Sequence, residues 1–142
     1  MGKRRKAREI VLDVLYYYEI ASESRNSLLE RITQKKGISK EIKEYATRLL
    51  STTIENLEVI DSKLKKIIKN WDLDRVAIID KSIMRFASAE ILFLPDIPVK
   101  VSIDEAVELA KKYSTENSGS FVNGILDKIA RQANLLNHSN KG

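Results

Sequence analysis

Apolar residues recur at steps of three and four along most of the chain, the spacing of helices buried on one face. Ala7, Val11, Val14, Leu15 and Tyr18 mark the inner face of a first helix. Leu28, Leu29 and Ile32 mark a short second one, from about Ser27 to Lys35, with Gly37 as its stop. Ser39 can cap a third helix, with Ile42, Tyr45, Ala46, Leu49, Leu50 and Thr53 inward. The pattern continues through Leu57, Ile60, Leu64, Ile67 and Ile68, too long for an ordinary globular helix, which predicts a break near Asn56. Trp71 reads as a packing anchor at a junction, with Asp72 or Asp74 as a cap for the next helix.

That helix, roughly Arg75 to Leu94, turns Ile79, Ile83, Phe86 and Ala87 inward. Val76, Ile78 and Ile91 spread apolar character around it, which marks it as the central helix. Pro95 and Pro98 end it. Ser102-Ile103-Asp104-Glu105 reads as a capping box opening a helix with Ile103, Ala106, Val107, Ala110 and Tyr113 inward. The polar run Ser114 to Ser120 reads as a loop. The last helix uses Phe121, Val122, Ile125, Leu126, Ile129 and Ala133, and Asn134 to Gly142 reads as a frayed tail. No strand-like alternation appears, so the chain is all-α, one domain or two small helical subdomains sharing a core.

Charge changes this picture at one end. The net charge is +5 over 142 residues, and Lys3, Arg4, Arg5, Lys6 and Arg8 all precede the first acidic residue, Glu9. Beyond them basic and acidic residues balance, so the entire excess sits in the first eight positions, a footprint for a polyanion. The apolar pattern begins inside this cluster, which places the cations on the helix itself. Arg5, Arg8, Leu12 and Tyr16 fall along one flank, where guanidinium groups and a ring suit the phosphates and stacked bases of single-stranded RNA.

Other chemistry lacks its parts. The chain has no cysteine, and its single histidine, His138, lies in the polar tail, so thiolate zinc sites, disulfides and nucleophile–base pairs are not expected. Asp72, Asp74, Asp104 and Glu105 read as helix caps. Gly119 to Gly124 has the outer spacing of a phosphate loop, but Ile125-Leu126 stand where lysine and Ser/Thr are required. No cofactor, metal or enzymatic activity is expected. No apolar run approaches the length of a membrane span, and the expectation is a soluble, cytoplasmic protein.

Arg4-Arg5-Lys6-Ala7-Arg8-Glu9, followed by Val11, Leu15 and Tyr16, resembles the arginine-rich opening helix of the NusB family of bacterial transcription antitermination factors. Asp80-Lys81-Ser82-Ile83-Met84-Arg85, then Glu90, Asp96-Ile97-Pro98 and Ile103 to Lys111, keep that family's order and spacing. So does Thr115 to Asp127, with Ser118-Gly119-Ser120-Phe121-Val122-Asn123-Gly124 at its centre. The resemblance runs from Arg4 to about Ala130. It implies two subdomains of three-helix-bundle type, residues 1–72 and 73–134, about seven helices in all, with a flexible tail at 135–142. It also implies binding of boxA RNA as a heterodimer with the ribosomal protein NusE. The complex would then join NusA, NusG and the elongating RNA polymerase and support ribosomal RNA transcription.

Carried over by motif, the RNA face comprises Arg4, Arg5, Lys6 and Arg8 for phosphates and base edges, Tyr16 and Phe121 as rings, and Glu116, Asn117 and Asn123 as polar neighbours. Asp80 stands where the family often has glutamate near RNA and partner. Ser120 stands where lysine is common, which removes one phosphate contact and makes RNA binding depend more on NusE. Two readings remain open for Phe121, a stacking ring or pure core, and for Asn123-Gly124, an RNA contact or a site of close helix packing. Arg85 is expected to pair with Glu90 or Asp80. The free protein can be a monomer or a homodimer hiding the basic face. The competing functions are an RNA-modifying enzyme, disfavoured because no Rossmann-type unit accompanies the helices, and a scaffold that binds only protein.

Overall fold

The structure is a computed structural model that describes residues 2–68 and 73–136. Trp71, Asp72 and His138 lie outside the described residues, as does the side chain of Asp74. Seven α-helices are present among the described residues, and no strand. They are α1 (Lys3–Ala21), α2 (Arg25–Thr33), α3 (Lys40–Glu55), α4 (Leu57–Ile67), α5 (Ile78–Phe93), α6 (Val99–Tyr113) and α7 (Glu116–Gln132), with a 3₁₀ turn at Leu73–Arg75 before α5. None of the described helices is long and apolar enough to cross a membrane.

Local sequence signals set most boundaries. The Ser39 side chain accepts from the Ile42 N–H at 3.2 Å and opens α3. Asn56 separates α3 from α4, and its side-chain amide donates to the Thr52 carbonyl at 2.8 Å, adding to the bond which that carbonyl accepts from the Asn56 backbone N–H at 3.3 Å. Gly37 follows α2 with φ of +80°, a left-handed conformation that glycine adopts without strain.

Several boundaries differ from the sequence expectation, and α5 begins at Ile78, after the 3₁₀ turn, not at about Arg75. Helix α6 begins at Val99, directly after Pro98, so Ser102 lies one turn inside it. The capping box therefore does not form. Pro98 presets the extended backbone that starts the helix, which frees Ser102 and Glu105 for partners elsewhere. Helix α7 begins at Glu116, not at Phe121. Thr115 caps it by accepting from the Ser118 N–H at 3.1 Å, so most of the polar run expected as loop is the first turn and a half of a helix, with Glu116, Asn117 and Ser120 exposed and Ser118 and Gly119 buried. At the other end, left-handed Asn134 lets the Leu135 N–H reach the Ala130 carbonyl at 2.8 Å, and Leu136 packs on the core. The chain is thus tied down through Leu136 and not frayed from Asn134.

Helix α5 is central, packed by α1, α3, α4, α6 and α7. Every residue from Asp80 to Ile91 is buried, so its polar side chains must find partners inside. Arg85 does so with Asp61 of α4, through two bonds of 2.8 and 2.9 Å, and with Glu19 of α1 at 2.9 Å. Lys81 adds a 2.6 Å bond to Glu19. Glu90 and Asp80 are not its partners, because a step of five along a helix turns the side chain well away from Arg85. Helix α4 packs mainly on α7 and α5, so the two halves of the chain share one core.

Helices α6 and α7 approach closely at Gly119, where an added Cβ would lie 3.0 Å from Lys111 Cγ. Around Gly124, by contrast, a Cβ would meet nothing within 4 Å. The close-packing reading therefore belongs to Gly119. A Gly124→Ala variant should gain about 0.5–1 kcal/mol of stability by removing backbone entropy from the unfolded chain, read as a raised midpoint in urea at unchanged slope.

Candidate nucleic-acid interface

The cations of α1 separate into interior and surface groups. Arg8 is only 3 % exposed, and its Nε donates to Glu90 Oε2 at 2.7 Å. The Tyr45 hydroxyl donates to the same oxygen at 2.6 Å, and the Ser102 hydroxyl donates to Oε1 at 2.7 Å. Glu90 is thus a buried carboxylate satisfied from α1, α3 and α6 together. Burial first, and then the adjacent Glu90 carboxylate, push the Tyr45 phenol well above its ordinary range and keep it a donor. Arg8 was expected at the RNA. Its placement makes it a pin that fixes α1 to α5, because a helix flank at this position faces the interior.

Arg5 forks Glu105 with two bonds of 2.7 Å. That guanidinium holds the Glu105 carboxyl below its usual range, against the opposing effect of burial. Lys3 pairs with Glu41. Arg4 sits 4.7 Å above the Tyr45 ring in cation–π geometry. Arg48, 6.0 Å from the centre of the same ring, forks Asp96 at 2.5 and 3.0 Å and lowers that carboxyl to about 2. Lys6 alone among the α1 cations has neither a carboxylate within 4 Å nor a ring among the described residues.

At the α7 end, Ser118 links the helix start to α5 by donating to Asp80 Oδ2 at 2.9 Å. Asp80 is buried, and its Oδ1 has no hydrogen-bond partner among the described residues. The structure thus places Asp80 beneath the expected face as a support for α7, not on it. Glu116, Asn117, Ser120 and Asn123 are exposed on the first turns. Phe121 is half-buried and packs on the core, leaving one edge outside. Neither of its two readings excludes the other in this position.

One contact joins the two regions. Glu9 of α1 accepts from Lys112 Nζ and from the Tyr113 hydroxyl, both at 2.9 Å. Burial pushes the Glu9 carboxyl up, but those two donors outweigh it and hold the group below its ordinary value. Tyr113 is 42 % exposed and Tyr16 is 39 % exposed, and with Lys6 they border one open groove of about 610 Å³. Tyr113 leads directly into Ser114, whose hydroxyl meets that of Ser118 at 2.9 Å. Sequence reasoning assigned Tyr113 to the core, since it continues the apolar spacing of α6. The adjacent lysines, Lys111 and Lys112, were the only hint of its outward position. The groove offers two rings and a lysine outside any ion pair, and exposed amide side chains stand on the first turns of α7, parts suited to binding a strand.

The NusB family model matches residues 5–131. The transcription antitermination protein NusB of Pseudothermotoga lettingae is 43 % identical over 133 residues, covering 92 % of this chain and 93 % of that protein. The crystal form of Thermotoga maritima NusB superposes with a TM-score of 0.84 at 42 % identity, over 91 % of each chain. A structure of the antitermination factors NusB and NusE in complex with double-stranded RNA matches with a TM-score of 0.83 at 31 % identity, over 93 % of this chain and 98 % of that one.

Proposed function

Since the chain belongs to the NusB family of transcription antitermination proteins, we propose that it binds boxA RNA together with NusE and joins the elongating RNA polymerase, with NusA and NusG, in support of ribosomal RNA transcription. The observation that carries the RNA reading is the grouping of Lys6, Tyr16 and Tyr113 on one groove, with α7 and its exposed Glu116, Asn117 and Asn123 beginning three residues after Tyr113. The related NusB–NusE complex with RNA supports the choice of partner. Lys6 and Arg4 contact phosphates. Tyr16 and the outer edge of Phe121 receive bases, and Glu116, Asn117 and Asn123 meet polar base edges. Arg5, Arg8 and Asp80 position these groups by pinning α1 and α7 to the core.

A salt titration of boxA RNA binding in the presence of NusE tests the division of labour. Each phosphate neutralised on a single strand contributes about 0.7 to the slope of log affinity against log salt. Lys6→Ala should lower the slope by about that amount with the fold intact. Arg8→Ala should instead lower the unfolding midpoint. RNA that binds neither the protein nor its mixture with NusE, with NusE also failing to bind, would replace this function with that of a scaffold for some other partner.

A further inference from the structure

The groove beside α1 has a wall that the family-based reading does not use. The turn between α2 and α3 brings Lys35 and Lys36 to the same groove as Lys6, Tyr16 and Tyr113. This turn has a fixed form. The Lys35 N–H donates to the Ile32 carbonyl at 3.1 Å, Lys43 Nζ holds the Thr33 carbonyl at 2.9 Å, and left-handed Gly37 reverses the chain. Both lysines are exposed, and neither has a carboxylate within 4 Å among the described residues.

The balance of charge around α1 favours this wall. Lys3, Arg5 and Arg8 are each committed to a carboxylate of the protein. Of the acidic residues bordering the groove, Glu9 is already matched by Lys112 and Tyr113, leaving Asp13 against three lysines. The groove is therefore net positive and carries two exposed rings. Cations alone would suit an acidic peptide, whereas cations interleaved with rings suit a single strand of nucleic acid.

We propose that the α2–α3 turn is part of the RNA site. Lys35 and Lys36 hold phosphates of the strand while a base lies against Tyr113, in the groove that α1's Lys6 and Tyr16 also line. This rests on the RNA-binding function proposed above and extends it to residues that the opening helix and α7 do not include.

The test is fluorescence anisotropy of a labelled single-stranded boxA RNA titrated with the protein in the presence of NusE over a range of salt. Lys35→Ala/Lys36→Ala should lower the salt slope by about 1.4, two phosphates' worth, and weaken binding several-fold at low salt. Tyr113→Leu should weaken binding roughly tenfold at unchanged slope, while Tyr113→Phe, which keeps the ring but loses the hydroxyl that binds Glu9, should weaken it by less. Lys65→Ala/Lys66→Ala, on α4 and bordering a different surface, should keep the parent slope. An unchanged slope in the Lys35/Lys36 variant, with the parent binding normally, overturns this proposal and leaves the proposed function standing. Equal flattening by the α4 pair would reduce the effect to bulk charge and also overturn it. A lysine effect without any Tyr113→Leu effect would overturn the placement of a base against Tyr113. A parent protein that binds no RNA overturns both.

Discussion

Replacing Glu90 with alanine should destabilise the protein by about 3–5 kcal/mol, the cost of stranding a buried cation. The carboxylate is the shared acceptor for Arg8, Tyr45 and Ser102, and all three side chains belong to buried residues. Without it the Arg8 guanidinium keeps only a distant carboxylate, Glu105 at 3.8 Å, and two hydroxyls lose their acceptor. For a domain of this length the loss corresponds to a fall in melting temperature of about 10 to 15 °C. Glu90→Gln should recover only part of it, because the amide accepts hydrogen bonds but carries no charge. The double variant Arg8→Met/Glu90→Leu should recover most, since apolar side chains of similar size remove both buried charges together. A double variant as unstable as Glu90→Ala would show that the polar network, and not the orphaned charge, governs the cost.

The second large effect is expected at Arg85. Its guanidinium binds Asp61 and Glu19 at once, joining α5 to α4 and α1. Burial acts against the charge, but the two carboxylates more than compensate and raise its pKa further. Arg85→Ala should cost about 2–3 kcal/mol, less than Glu90→Ala because Glu19 and Asp61 are partly open to water and Lys81 still reaches Glu19. Arg85→Lys should recover little, since an ammonium cannot fork one carboxylate while bridging a second. Urea unfolding of the three proteins checks the ranking, and a lysine variant matching the parent would show that the planar fork is dispensable.

The features legible in the sequence were local. Ser39 as a cap, the break at Asn56 and the end of α5 before Pro95 depend on residues within one or two turns, and the periodic apolar faces marked out the seven helices. The features hidden from it were set by distant partners. Arg8 and Glu90 are 82 residues apart, Arg5 and Glu105 are 100 apart, and Asp80 and Ser118 are 38 apart. A carboxylate such as Glu90 amid the apolar residues of α5 announces that some buried cation must exist, but it does not say which. The Ser102–Glu105 capping pattern failed for a related reason. The motif is local, yet Pro98 starts the helix earlier, and both side chains are drawn into long-range bonds. The candidate site was accordingly legible as a charged end with a nearby ring. Its division into pins and contacts, and the part of Tyr113, depend on packing.

The central claim is that RNA contacts both α1 and the start of α7, held there by side chains that the buried ion pairs position. Nitrogen-15 NMR of the labelled protein bound to unlabelled NusE, with boxA RNA added, tests it most directly. The expected result is amide shifts at Lys6, Tyr16, Asn117 and Phe121, with the α4 residues Lys65 and Lys66 unmoved. Shifts gathered on α4 while α1 and α7 stay silent would contradict it.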